Sequence, residues 1–134
     1  MQTFLPYPDF VQSMRTLDYR RLGKQRVEAY QILNTLTGKS NGWFNHPAVK
    51  MWRGYEEALS EYMNCAIEEW VYRGYQNNMK VVITDMAYIV MPPWIGDPDL
   101  HLSHQSNLLR KFPEHYSNFF VGVSSDLPYF WPIK

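Results

Sequence analysis

Residues 18–38 read DYRRLGKQRVEAYQILNTLTG, and their reading decides the fold class. Leu22, Ala29, Leu33 and Leu36 are spaced for one face of an α-helix, with Asp18 placed to cap its start and Gly38 to stop it. On a wheel of 100° per residue with Leu22 at zero, Arg20, Arg21, Lys24, Glu28 and Gln31 fall between about 160° and 260°, which predicts an exposed and largely basic surface. Asp18, Gln25 and Arg26 lie instead within about 60° of the apolar stripe, where a polar group without partners costs about 1 to 3 kcal/mol. The spacing therefore predicts a buried polar network. It is read either as a structural ion pair between Asp18 and Arg26 or as one wall of a pocket.

Outward from this helix the neighbouring blocks also read as helical. Asp9, after Pro8, can cap a short preceding helix carrying Phe10, Val11, Met14 and Leu17. Downstream, Pro47 is placed to open a central helix in which Trp52, Tyr55, Leu59, Tyr62 and Ala66 recur at spacings of three and four before Gly74 ends it. Glu57, Glu61 and Glu68 fall on another side and read as a solvated face. Residues 81–90 fit a strand or a short helix equally, and Pro92, Pro93 and Pro98 impose an extended turn around Trp94 and Gly96. Residues 103–111 (SHQSNLLRK) predict another short helix, and the tail is dense in aromatics: Tyr116, Phe119, Phe120, Tyr129, Phe130 and Trp131. Such a tail is expected to be tied down on the domain, with stacking on bases open to part of it.

The 134 residues, without repeat, low-complexity tract or dividing linker, read as a single domain over 1–134. The expected fold is all-α: a small bundle of about three main helices with a long irregular, Pro- and aromatic-rich C-terminal segment. An aromatic share of 16% beside 19% charged residues excludes a disordered chain. Cys65 is the only cysteine, which excludes an intrachain disulfide and thiolate metal sites and reads as packing rather than catalysis. The longest apolar run, residues 86–94, is too short for a membrane span, and the N-terminus has no basic leader. A monomeric cytoplasmic protein with no membrane partner is the expectation.

Net charge is zero, yet its distribution is uneven. Arg15, Arg20, Arg21, Lys24 and Arg26 cluster with only Asp18 among them, whereas Glu56, Glu57, Glu61, Glu68 and Glu69 form a block without a base. A bipolar molecule with a basic face follows, and such a face suits phosphates. His101 and His104 share a helical face and suit either phosphate or base contact beside Arg110 and Lys111, a divalent metal completed by His46 or Asp97, or packing. No Gly-x-Ser-x-Gly elbow, Gly-rich phosphate loop or paired-cysteine knuckle is present. What remains is amine chemistry: the α-amino group, or Lys24, attacking C1′ of a nucleotide to form a Schiff base.

Several motifs resemble those of the small phage-type pyrimidine-dimer DNA glycosylase (dimer-specific endonuclease V) family. They are Asp18-Tyr19-Arg20-Arg21-Leu22-Gly23-Lys24, Gly38-Lys39, His46, the Tyr55-to-Leu59 run and Arg73-Gly74-Tyr75, together spanning residues 1 to about 78. The block PPWIGDPDLHLSHQSNLLRKFPEHY looks like a divergent branch. The resemblance implies an all-α fold, glycosylase and abasic-site lyase activity on DNA with cross-linked pyrimidines, and no cofactor or metal. It also implies an N-terminal amine as nucleophile, a glutamate on the first long helix, and arginines gripping phosphates. The arginines carry over to Arg20 and to Lys24. The glutamate position holds Arg21, so the acid role passes to Asp18 or Glu28. Gln2 stands where the family has a threonine exposed by loss of Met1, so the amine is that of Met1 or Lys24.

Double-stranded DNA with damaged or modified bases is accordingly the expected partner. Arg20, Arg21, Lys24, Arg26, His46, His101, His104, Arg110 and Lys111 are the candidate contacts. Trp43, Trp52, Tyr55 and Trp94 are the candidates for stacking on bases. A non-catalytic DNA- or nucleotide-binding module and a histidine-metal nucleic-acid hydrolase are the alternative readings.

Overall fold

A computed structural model describes residues 1–85 and 87–133. Among them are six helices and no strand: α1 (Phe10–Thr16), α2 (Tyr19–Leu36), α3 (Pro47–Lys50), α4 (Glu56–Tyr72), α5 (Pro98–Lys111) and α6 (Pro113–Tyr116). The fold is all-α, and its three long helices are α2, α4 and α5. No helix among the described residues is long and apolar enough to cross a membrane.

α2 packs along α4, and α1 lies on α4. Leu22, Ala29 and Ile32 of α2 and Leu59, Tyr62, Met63 and Ala66 of α4 are buried in one core with Met14 and Leu17. Local signals account for most helix ends. Asp9 caps α1, its Oδ1 accepting from the Gln12 N–H at 2.8 Å. The last carbonyls of α1, on Met14 and Arg15, accept from the Arg73 guanidinium at 3.0 and 3.1 Å, so the Arg73-Gly74-Tyr75 motif joins the end of α4 to the end of α1. Gly38 (φ 82°) and Gly74 (φ 90°) sit in the left-handed region just past α2 and α4, where only glycine is free of strain.

The central helix expected from Pro47 to Gly74 is instead two helices. Gly54 adopts φ 87°, its N–H is taken by the Glu56 side chain at 3.2 Å, and Tyr55 becomes the residue before α4. The apolar spacing survives the break: Trp52 and Tyr62 are both buried, with ring centroids 5.7 Å apart. Residues 81–90 are neither helix nor strand where described; Met86 lies outside the described residues. Side chains on α4 hold this stretch. Asn64 exchanges two hydrogen bonds with the Val82 backbone (2.6 and 2.9 Å), and Glu61, expected to be solvated, accepts from the Thr84 hydroxyl at 2.7 Å.

α5 begins at Pro98 rather than at 103, because Asp97 accepts from the Asp99 N–H at 3.0 Å and Pro98 occupies the first turn. The aromatic tail is tied along α5, as expected. Ser103 and Ser106 accept from the N–H groups of Phe130 (2.9 Å) and Leu127 (3.0 Å), and Arg110 donates to the Ser125 carbonyl at 2.7 Å. Cys65 is buried beside Glu61, and burial pushes its thiol up to about 12, which fits packing and not nucleophilic chemistry.

Candidate active site

The site is built on an N-terminal thread, residues 1–5, that is neither helix nor strand. Gln2, Thr3, Phe4 and Leu5 are all buried, and buried backbone groups require partners. With no strand alongside, side chains supply them. Gln25 Oε1 accepts from the Phe4 N–H at 2.9 Å and from the Tyr62 hydroxyl at 2.7 Å, while the same hydroxyl lies 2.8 Å from the Phe4 carbonyl. Trp52 Nε1 donates to the Thr3 hydroxyl at 3.0 Å. The Gln2 N–H donates to Glu28 Oε2 at 3.1 Å. The buried polar network expected on α2 is thus present, with Gln25 at its centre and the thread as its partner.

Covering α2 with this thread changes the helix's faces. Glu28, placed on the exposed side by the wheel, is only 7% exposed because residues 1–4 lie over it. Between the thread, the start of α2 and the end of α5 opens a cavity of about 790 Å³. Met1, Glu28 and Lys24 line one part of it, with Lys24 Nζ 3.7 Å from Glu28 Oε1. Arg20 and Lys111 bring positive charge to it, and Tyr19, Phe112 and Tyr129 bring rings. His46 is not among the lining residues; its imidazole is held below its usual value first by burial and then by the positive charge of the Met1 amine. Its Nδ1 accepts from the Ala48 N–H at 3.0 Å, and its ring meets Trp43 and Trp131 edge-on.

Asp18 also lines the cavity, though not as a helix cap: its side chain makes no cap bond. The buried carboxylate accepts from the Tyr116 hydroxyl and pairs with Arg21 at 3.2 Å, while the Asp18 N–H donates to the Tyr116 oxygen at 3.0 Å. The expected Asp18–Arg26 ion pair is not formed. Arg26 turns the other way, laying its guanidinium 4.4 Å from the Trp70 ring centroid and donating to Asn77 Oδ1 at 2.7 Å. Desolvation lowers its pKa, and it is no part of the cavity.

Three further groups of expected contacts have other surroundings in the structure. His101 and His104, offered as phosphate, base or metal contacts, are buried and point at Leu5, with ring nitrogens 2.8 Å from its carbonyl and 2.9 Å from its N–H. Among the described residues no group of three or more His, Cys, Asp or Glu is arranged to hold a metal. Arg110 is exposed, and its guanidinium donates to the Ser125 and Leu127 carbonyls and to Asn107. Trp52 and Trp94 are core residues, packed edge-on at 4.9 Å, and Trp94 donates to the Met51 carbonyl. Tyr55 is half-buried against the core. Of the four stacking candidates Trp43 alone is well exposed, at 61%, on a left-handed backbone (φ 62°).

The cavity also contains residues that periodicity does not single out, namely Gln2, Phe112 and Tyr129. Tyr129 belongs to the aromatic tail, whose density was the available signal. Gln2 carried none.

A family model described as pyrimidine dimer DNA glycosylase matches residues 1–82. Comparison with curated proteins and with solved structures returned no match. The matched region holds the thread, α1 to α4, and every cavity residue named above except Lys111, Phe112 and Tyr129. With well over half of its 134 residues covered by that model, the chain belongs to the pyrimidine dimer DNA glycosylase family, the enzymes of DNA repair whose expected helical fold it has.

Proposed function

We propose that the protein is a glycosylase and abasic-site lyase acting on double-stranded DNA that carries cross-linked pyrimidines or related altered bases, through an amine in the α2 cavity. One observation carries the reading: a buried carboxylate, Glu28, lies 3.7 Å from the Lys24 ammonium and accepts from the N–H of Gln2, the residue after Met1, and both candidate amines, Met1 and Lys24, belong to residues lining the same cavity. An amine must lose a proton to attack, and a carboxylate at this distance is placed to take it. The amine lone pair then forms a bond to C1′, the glycosidic pair leaves with the base, and opening of the sugar ring gives an iminium. Loss of a C2′ proton to a carboxylate expels the 3′-phosphate, and water releases the amine.

The surroundings fit this chemistry. Arg20, Lys24 and Lys111 supply phosphate contacts, and a cavity of about 790 Å³ with Tyr19 and Tyr129 on its walls has room for an extruded nucleotide. His101 and His104 have their hydrogen bonds within the protein, which leaves the metal-hydrolase reading without support. A non-catalytic DNA-binding role is favoured by one feature, the Arg21 that replaces the family's glutamate and is neutralised on Asp18.

Incubation with duplexes bearing a dimer, an abasic site or no lesion, with and without borohydride, tests both. The amine mechanism gives a covalent protein–DNA adduct on the first two duplexes only. Binding without trapping leaves the non-catalytic role.

A further inference from the structure

His101 and His104, one turn apart on α5, bracket both backbone groups of Leu5. His104 Nδ1 accepts from the Leu5 N–H at 2.9 Å, so its proton resides on Nε2, which is buried without a partner. His101 Nε2 accepts from the Gly96 N–H at 2.9 Å, so its proton resides on Nδ1 and is donated to the Leu5 carbonyl at 2.8 Å. The two imidazoles are therefore neutral, in opposite tautomers, and together complete a peptide-like pair with one residue of the thread. Gln105 Nε2 adds a bond to the Pro6 carbonyl at 2.8 Å, and the Phe4 ring meets the His104 ring edge-on.

We infer that His101 and His104 are positioning residues for the cavity: they fix the register of the thread so that Gln2 is delivered to Glu28. The inference rests on the amine reading for its consequence in catalysis. Three peptide units separate Leu5 from Gln2, a span of about 10 Å when extended, which leaves little slack between the histidine clamp and the carboxylate. A one-residue slip of the thread would carry the Thr3 hydroxyl away from Trp52 Nε1 and bring a different backbone N–H to Glu28. An apolar residue in the place of His104 would remove the unpartnered Nε2–H but orphan the buried Leu5 N–H, whereas a hydrogen-bonding side chain satisfies that N–H and specifies which residue of the thread sits there.

The tautomers are read directly by long-range proton–nitrogen correlation of the imidazoles. His104 protonated at Nε2 and His101 at Nδ1 is the expected pattern; the reverse overturns the inference. In trapping on an abasic duplex, His104→Leu is expected to lower the maximal rate by about tenfold or more, with DNA affinity within about threefold, because misplacement costs the reacting geometry and not the phosphate grip. His104→Asn, whose Oδ1 accepts where Nδ1 did, is expected to restore most of the rate. A folded His104→Leu protein that traps like the wild type overturns the positioning role. If His104→Leu does not fold, His101→Gln carries the same test, since it keeps an acceptor for Gly96 and loses the donor to Leu5. Should the wild type itself never trap, the amine mechanism fails and the positioning role is judged by hydrogen exchange of the Gln2 amide. That exchange is expected to be about tenfold faster in whichever of the two variants folds, and no change overturns the inference.

Discussion

The Gln2 N–H and the Glu28 carboxylate, 26 residues apart in sequence, are 3.1 Å apart in the fold, and this contact brings the first residues of the chain to a buried carboxylate of α2 that lines the cavity. In the proposed mechanism Glu28, one helical turn beyond Lys24, is the proton-transfer group. Its replacement by glutamine keeps an acceptor for Gln2 and removes the base. Glu28→Gln is expected to lower the lyase rate by about 10² to 10⁴ while lesion binding stays within about tenfold, as single-turnover nicking and a binding isotherm will report.

The basic contribution to DNA binding is divided. Arg20 and Lys24 are exposed, Lys24 with its ammonium 3.7 Å from Glu28, whereas Arg21 is half-buried and paired with the buried Asp18. The double replacement Arg20→Ala with Lys24→Ala is expected to reduce the slope of log affinity against log salt by about 2, since each duplex phosphate neutralised contributes about 0.9. An unchanged slope places the DNA elsewhere.

Asp18 holds structure at the start of α2 through Tyr116 and Arg21. Burial and the Asp18 carboxylate both raise the pKa of the Tyr116 phenol, which therefore keeps its proton and donates it. Asp18→Asn is expected to cost about 1 to 3 kcal/mol, and Tyr116→Phe a similar amount. The double variant should fall short of the sum, since each single change already removes the shared bond; thermal melts of the cycle measure this.

Acid should weaken the histidine clamp. Burial, with His101 nearby as the lesser cause, brings the His104 imidazole from 6.5 down to about 3. The groups around it are the Phe4 ring, the Leu5 backbone and His101, itself lowered by burial and raised by the Leu5 bond and by Asp97. As pH falls below about 6.5 the unfolded chain takes up a proton that the folded protein refuses until about pH 3, so stability declines across that window by up to about 1.4 kcal/mol per pH unit. Melting temperature against pH should be shallower over this range for His104→Asn.

Gly23 should reverse the usual gain from placing alanine inside a helix. A Cβ there would lie 2.8 Å from Trp70 Cζ3, and that ring is held by Tyr75 at 4.4 Å, by the Arg26 guanidinium and by the Gln76 carbonyl. Gly23→Ala is expected to destabilise by about 1 to 3 kcal/mol despite better helix propensity, with denaturant unfolding as the check.

What the sequence determined by itself is what neighbours along the chain decide. The spacing of Leu22, Ala29 and Leu33, the Asp9 cap and the stops at Gly38 and Gly74 are local facts, and α1, α2 and the end of α4 follow from them. The burden on Gln25 was also legible, since a polar residue beside an apolar stripe must find partners. Gly54 was not legible as a break, because the apolar spacing from Trp52 to Tyr62 continues through it.

Only the tertiary structure decided the faces that a helix wheel leaves blank. Glu28 is buried because a thread from the chain's start covers it, and His101 and His104 serve that thread because α5 folds back on residues 96 and 99 positions distant. Periodicity reports which side of a helix is apolar and is silent on which polar side will be covered by another segment. Met1, Asp18, Arg20, Lys24 and Glu28 were named from the sequence, but that they line one cavity with Lys111, Phe112 and Tyr129 is decided only when the chain has closed upon itself.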